Sequence, residues 1–227
     1  MSEITFKIDK TIFLKHPGFR RVIIIAEGIQ NTGNLTAEID QQIQAIKAVN
    51  PEDPRLVSWR EAFLAEGIKL RDFRPSIDAL VRRIQADKPF GSINPIVDVG
   101  TIVSLKYLLP AGAHPILADS QDISLERADG TEVDVTLDGK TEQVQAGEIV
   151  LKDNGRLAAR RWVWRQTPLS RIDNNTTGLF LNIDALAVAS DTELNEAIGF
   201  AENLIKETFG VATQTIILSA KNPTQEI

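Results

Sequence analysis

The stretch ISLERADGTEVDVTLDGKTEQVQAGEIVLKDNGRLAARRWVWRQ, residues 123–166, decides the fold class. Its strand-length segments are separated by Asp129-Gly130, Asp138-Gly139 and Asn154-Gly155. Such dipeptides turn hairpins because both residues tolerate positive φ. From His114 to Leu186 this texture predicts antiparallel sheet or a barrel.

Working outward, the chain changes character on both sides. RVIIIAEG (Arg21 to Gly28) is a short β-branched run that fits a strand buried on both faces. Ile39, Ile43, Ile46 and Val49 recur at helical spacing behind Thr36, a good N-cap residue. Asp53-Pro54 opens a second helix that Gly67 can end, and Ile77, Leu80, Val81 and Ile84 mark a third behind Pro75. Asn94-Pro95 repeats the cap-then-proline signal for a fourth helix, interrupted by Gly100. Beyond the sheet region, Leu194, Ile198, Ala201, Leu204, Ile205 and Phe209 predict a helix capped by Asp191 and ended by Gly210, followed by a strand from Thr213 to Ser219 and a polar tail. With no Pro-, Gly- or Ser-rich linker and no repeat, the expectation is one α+β domain over residues 1–227: an antiparallel Greek-key β-barrel core decorated with helices, with a small α/β sub-region.

Composition excludes several chemistries. The 227 residues include no cysteine, so thiolate metal sites, iron–sulfur clusters, cysteine nucleophiles and disulfide-linked partners are out of reach. Only His16 and His114 are histidines, without short ligand spacing, so no metal and no cofactor is expected. No apolar run approaches membrane-spanning length, and MSEITFKIDK lacks signal-peptide order, so the expected address is the cytoplasm. A net charge of −6 disfavours non-specific coating of nucleic acid and requires any such contact to be local. Phosphate-loop, dinucleotide, nucleophile-elbow and zincin motifs are all absent from the chain.

What remains is GRLAARRWVWRQTPLSR (Gly155 to Arg171), where Arg156, Arg160, Arg161, Arg165 and Arg171 surround Trp162 and Trp164. As a strand it would place Trp162, Trp164 and Gln166 on one side and Arg161, Val163 and Arg165 on the other. Guanidinium forks clamp phosphate or carboxylate, and indoles stack on bases, which suits an aminoacyl-adenosine end. The plainer reading has the indoles filling the core and the arginines pairing with some of the 31 acidic residues.

NPIVDVGTIVSLKYLLPAGAHPILAD (Asn94 to Asp119) resembles the editing module, called B3/B4, of the phenylalanyl-tRNA synthetase β subunit, which there reads N-x-x-V-D-V-T-N-Y-V and then P-x-H. It is more similar still to free-standing B3/B4 proteins, with V-D-L-Y-N-x-V-S-L followed by L-P-x-G-A-H-D. WREAFLAEGIKLRDFRPSIDALVRRI, AGEIVLKDNGRL, ARRWVWRQ and SRIDNNTTGLFLNIDAL extend the resemblance over most of Trp59 to Leu186. The resemblance implies a six-stranded barrel with added α/β elements and hydrolysis, in trans, of an amino acid wrongly esterified to tRNA. It sets His114 at the family's histidine, two residues late after Pro110, and Gly100 and Thr101 at the family's Thr-Asn pair. The glutamate that reads a tyrosine hydroxyl would fall near Asn182 or Ile183, where no carboxylate stands, and Pro115 replaces the aspartate of the free-standing proteins.

The expected site therefore uses Thr101, Ser104 and His114 to position water and the terminal ribose. Arg161, Arg165, Trp162, Trp164, Gln166 and Asn94 would bind the substrate. The bland counterpart makes His114 a capped turn residue and Thr101 and Ser104 ordinary helix residues. The partner implied is tRNA or aminoacyl-tRNA. A non-catalytic module binding tRNA, an amino acid or an aminoacyl nucleotide is the second reading, and an unrelated small-molecule enzyme on the same scaffold the third.

Overall fold

The β-branched run near residue 21 is a strand through the middle of the molecule. The computed structural model describes residues 3–136 and 139–227. In chain order its elements are β1 (Thr5–Ile8), α1 (Lys10–Lys15), β2 (Arg20–Glu27), α2 (Thr36–Lys47), α3 (Pro54–Ala65), α4 (Ser76–Gln85), α5 (Pro95–Tyr107), β3 (Ala111–Pro115) and β4 (Asp122–Arg127). There follow β5 (Val133–Val135), β6 (Thr141–Gln143), β7 (Ile149–Asp153), β8 (Arg156–Arg160), β9 (Arg165–Gln166), a 3-10 turn (Pro168–Ser170), β10 (Gly178–Ala185), α6 (Asp191–Phe209), β11 (Thr213–Ser219) and β12 (Thr224–Glu226).

The class is α+β, and the strand pairings among the described residues give separate sheets in which no closed barrel is found. Among the described residues, one sheet has six strands in the order β12-β1-β4-β7-β8-β9, a second has four in the order β11-β2-β10-β3, and β5 and β6 pair alone. A turn dipeptide need not join paired strands. Asn154 (φ 49°) and Gly155 (φ 74°) do form a tight hairpin between β7 and β8. The segment after Asp129-Gly130 instead leaves its sheet to form the β5–β6 ribbon, while β4 pairs with β7 and, in parallel, with β1. Asp138 of the Asp138-Gly139 turn lies outside the described residues. The expected polar tail is a strand as well, since β12 pairs antiparallel with β1.

Strand alternation assigns each residue of the four-stranded sheet to one of two cores. Val22, Ile24, Leu179, Leu181 and Ile183 face the helices, joining Val99 and Val103 of α5 and Ala197 and Ala201 of α6. Ile23, Ile25 and Phe180 face the other way, into a core shared with Phe6, Leu125 and Leu151 of the six-stranded sheet and with Trp59 of α3. By the same alternation Arg21, Asn182 and Asp184 point toward this inter-sheet layer, polar groups at the end of an apolar sandwich.

Helix ends follow local chemistry, displaced by a residue from two of the expected caps. Asn94 caps α5, accepting from Val97 N at 3.1 Å, and Asp53 caps α3. Ser190, not Asp191, caps α6 through a reciprocal capping box with Glu193, and the cap position of α2 is Leu35, not Thr36, with Asn34 Oδ1 accepting from Thr36 N. Gly100 has a packing reason: a Cβ there would lie 3.4 Å from both Ala113 N and Leu181 Cδ1, so its absence lets α5 settle closely on β3 and β10.

Candidate functional site

His114 lies on β3, opposite Phe180 of β10, and Gly112 lies opposite Asn182. The imidazole is buried and stacked on the Phe180 ring, with centroids 4.8 Å apart and planes 8° from parallel. Its Nδ1 is 3.0 Å from Ser170 Oγ and its Nε2 3.1 Å from Asn182 Oδ1. Asn182 donates from Nδ2 to Asp184 Oδ2 at 3.1 Å, and Asp184 receives Nε and Nη2 of Arg21 at 2.6 Å each. This chain orients every proton. Since Asn182 presents its amide to a carboxylate, its Oδ1 accepts from His114 Nε2–H, leaving Nδ1 to accept from the Ser170 hydroxyl. Burial, then the nearby Arg21 charge, pull the His114 pKa down to about 3 against the bond to Asn182, so the ring is neutral at physiological pH. Burial pushes the Asp184 carboxyl above its ordinary value, opposed by Arg21 and Asn182.

A cavity of about 480 Å³ opens beside this network, within the usual range for small-ligand sites. Arg21, His114 and Asn182 line its polar end, and Leu80, Val97 and Val163 contribute apolar wall. Thr101 of α5 also lines it, its hydroxyl proton given to Val97 O at 3.1 Å so that oxygen lone pairs remain as acceptors. Gln166 closes the seam between the sheets, donating from Nε2 to Ala113 O at 2.6 Å.

The arginine and tryptophan run does not continue as a strand. β8 ends at Arg160, and Arg161 (φ 47°) and Trp162 (φ 62°) take left-handed backbone, so the expected alternation of faces stops there. The reason is the indole of Trp162, which turns inward between Phe19 and Trp59, each ring centroid 5.0 Å away, while its backbone N–H bonds Ile149 O at 2.7 Å. Arg160, with no exposed side-chain surface, joins Glu148 (2.6 Å), Glu142 (3.1 Å) and Asp134 (3.2 Å). Arg161 pairs with Glu142 at 3.1 Å, lies 3.6 Å over the Phe73 ring, and borders a separate cleft with Glu66. Arg165 stacks on Trp164 at 4.8 Å, pairs with Asp134, and lines the cavity together with that indole.

The matching family model is the B3/4 domain, over residues 58–208. The chain belongs to the B3/4 domain family. A relative, the phenylalanine–tRNA ligase β subunit of Geobacter sulfurreducens, is 30% identical over 158 residues, which are 69% of this chain and 19% of that protein. The chain thus spans about a fifth of the curated relative's length. A crystal structure of an N-terminal fragment of the phenylalanyl-tRNA synthetase β subunit from Pyrococcus horikoshii aligns with a TM-score of 0.50 at 12% identity, covering 94% of this chain and 54% of that one, and shows a shared fold.

Within this B3/4 domain, Thr101, His114, Trp162, Trp164, Arg165 and Gln166 come together around one cavity. Asn94, Ser104 and Arg161 do not line it. Ser104 is spent bridging both backbone groups of Ala111, and Asn94 on the α5 cap and on Asn31. His114 sits in a strand, not in the capped turn of the bland reading. Arg21 and Asp184 went unread, though each is a charge in a strand otherwise rich in buried apolar residues, a pattern that signals a paired or functional group. Asp184 stands two residues beyond Asn182 on the same face and is engaged by Arg21. Among the described residues no cluster of His, Asp and Glu could hold a metal ion, and no helix is long and apolar enough to cross a membrane.

Proposed function

We propose that this B3/4 domain takes the aminoacyl end of a tRNA into the cavity between α5, β3, β10 and β9 and hydrolyses the ester in trans, acting in the cytoplasm. The observation that carries the reading is the pairing of an apolar chamber of about 480 Å³ with a polar end whose hydrogen bonds are already fixed. The family relationship supports a tRNA-borne substrate. Trp164 and Arg165 suit the terminal adenosine and its phosphate through stacking and charge. Asp134 and other carboxylates beside the arginines keep the attraction local, consistent with a net charge of −6.

An aminoacyl ester is an activated bond, so orienting a water molecule against its carbonyl supplies much of what hydrolysis needs. In this reading Thr101 Oγ1 accepts a hydrogen bond from that water. The water oxygen adds to the carbonyl carbon, the bond to the ribose oxygen breaks, and that oxygen takes up the proton the water gives up. Arg165 faces the developing oxyanion or the phosphate. His114 is a positioning residue, because both its nitrogens are committed and its neutral ring holds Asn182 in place.

Incubating the protein with a panel of correctly and wrongly charged tRNAs tests the proposal through the half-life of each ester. Acceleration of at least one, lost in Thr101→Val, is expected; unchanged half-lives throughout would refute it. One observation favours a non-catalytic binding module instead: among the described residues no carboxylate lines the cavity, and His114 has no free nitrogen to act as a base. Binding of aminoacyl nucleotides without turnover would establish that second reading.

A further inference from the structure

The chain as a whole has a net charge of −6, yet residues 69–88 hold six lysines and arginines against three aspartates, a local excess of three positive charges. Those three carboxylates are engaged within the protein. Asp72 faces Arg71 at 3.3 Å and Asp87 faces Lys47 at 3.2 Å, while the buried Asp78 is shared by Arg60 (3.1 Å), Arg74 (2.8 Å) and Arg82 (3.2 Å). One carboxylate cannot neutralise three guanidinium groups, and Glu52 adds a second acid only for Arg60. The Arg82 side chain keeps 51% of its surface in solvent. Arg83, also exposed, has no acidic partner among the described residues. Its Nε donates to Pro89 O at 2.8 Å, which fixes the guanidinium and leaves both Nη groups as open donors. Lys88, exposed as well, is held beside it by a bond from its backbone N to Arg83 O at 3.1 Å.

These charges adjoin the cavity. Ser76 and Leu80 of α4 line it, and Arg83 follows Leu80 by three positions, on the same side of the helix. Ile93, four residues beyond Pro89, lines it too. At 100° per residue, Ala79 lies between Arg82 and Arg83 around the helix; it is exposed and small, so a chain can cross α4 in contact with both arginines.

We propose that the solvent face of α4, centred on Arg83, binds the phosphodiester backbone of a single-stranded RNA whose 3′ end enters the cavity. A chamber of about 480 Å³ suits one small terminal group, so the chain leaving it is a single strand whose first phosphates emerge at the rim that Arg83 flanks. Guanidinium forks clamp such phosphates, and a local basic face is what an acidic protein needs to do so. The inference rests on the reading that a tRNA end enters this cavity, and adds the path by which the strand leaves it.

Fluorescence anisotropy titrations with two probes test it. One is a 3′-amide analogue of aminoacyl-adenosine, which carries no phosphate; the other is the same analogue extended on its 5′ side by a short single-stranded RNA. The native protein should bind the extended probe at least about tenfold tighter at low salt, and lose that advantage as salt rises. Arg83→Gln should weaken the extended probe about fivefold and lower the slope of log affinity against log salt by about 0.7, leaving the phosphate-free analogue unchanged. Adding Arg82→Gln should deepen both losses; Asp78 keeps Arg60 and Arg74, so the fold is retained. Lys221→Gln removes one exposed charge on the turn after β11, whose sheet edge lies opposite the β3 edge at the cavity, and should change neither probe.

An unchanged slope in the double variant, or an equal loss in Lys221→Gln, would overturn the assignment of α4 while leaving the cavity's occupant in place. Arginine-dependent binding of the extended probe with no binding of the phosphate-free analogue would keep the α4 surface and overturn the occupant. Failure of the native protein to bind either probe would overturn both.

Discussion

His114 Nε2 and Asn182 Oδ1 meet at 3.1 Å across the paired strands β3 and β10, and this bond ties the imidazole to the buried Arg21–Asp184 pair. It makes the histidine a fixed, uncharged part of the cavity wall.

Stability should therefore fall in mild acid. The native ring, with a pKa near 3, stays neutral where the unfolded ring, near 6.5, takes up a proton. Its contribution is complete above pH 6.5 and is lost as pH falls toward 3, at about 1.4 kcal/mol per pH unit. Urea unfolding at pH 6.5 and 5 should show about 2 kcal/mol more loss in the native protein than in His114→Asn, and equal losses would contradict the buried neutral ring.

The same assignment bears on the rate. The pH profile of kcat/KM for ester hydrolysis should lack an inflection near 6.5 from His114, because the residue does not titrate there. An inflection that disappears in His114→Asn would restore the histidine as a base.

Arg160 has no exposed side-chain surface and ties Asp134, Glu142 and Glu148 together. Arg160→Met leaves Asp134 to Arg165 and Glu142 to Arg161 but takes away the closest partner of the buried Glu148, and should cost about 3 kcal/mol in denaturant unfolding. A cost below about 1 kcal/mol would show that the cluster is better solvated than its burial implies.

Arg165 and Arg160 share Asp134, so removing Arg165 leaves that carboxylate paired. Arg165→Met should therefore unfold within about 1 kcal/mol of the native protein. Its affinity for tRNA should weaken, with a salt-dependence slope smaller by about one. An unchanged slope in a filter-binding titration would remove Arg165 from the nucleic-acid contact.

Local signals are legible in the chain. Cap-then-proline pairs located α3 and α5, and β-branched density located β2 and β11. Long-range pairing was not legible: β1 pairs in parallel with β4 across more than a hundred residues, and no turn chemistry announces such a contact. The strand reading of Arg161 to Gln166 failed because a local period of two gave way to the burial of one indole. Six of the 19 residues lining the cavity are legible because they sit in quotable motifs. Arg21 and Asp184 were overlooked because each matters only through the other, joined by strand register across 163 positions.

The most direct test of the account is a crystal structure of the protein with a 3′-amide analogue of aminoacyl-adenosine. The aminoacyl group is expected between Thr101 and Asn182, with the adenosine toward Trp164 and Arg165. An analogue seated instead in the cleft formed by Glu66, Phe73 and Arg161, with the first cavity unoccupied, would contradict it.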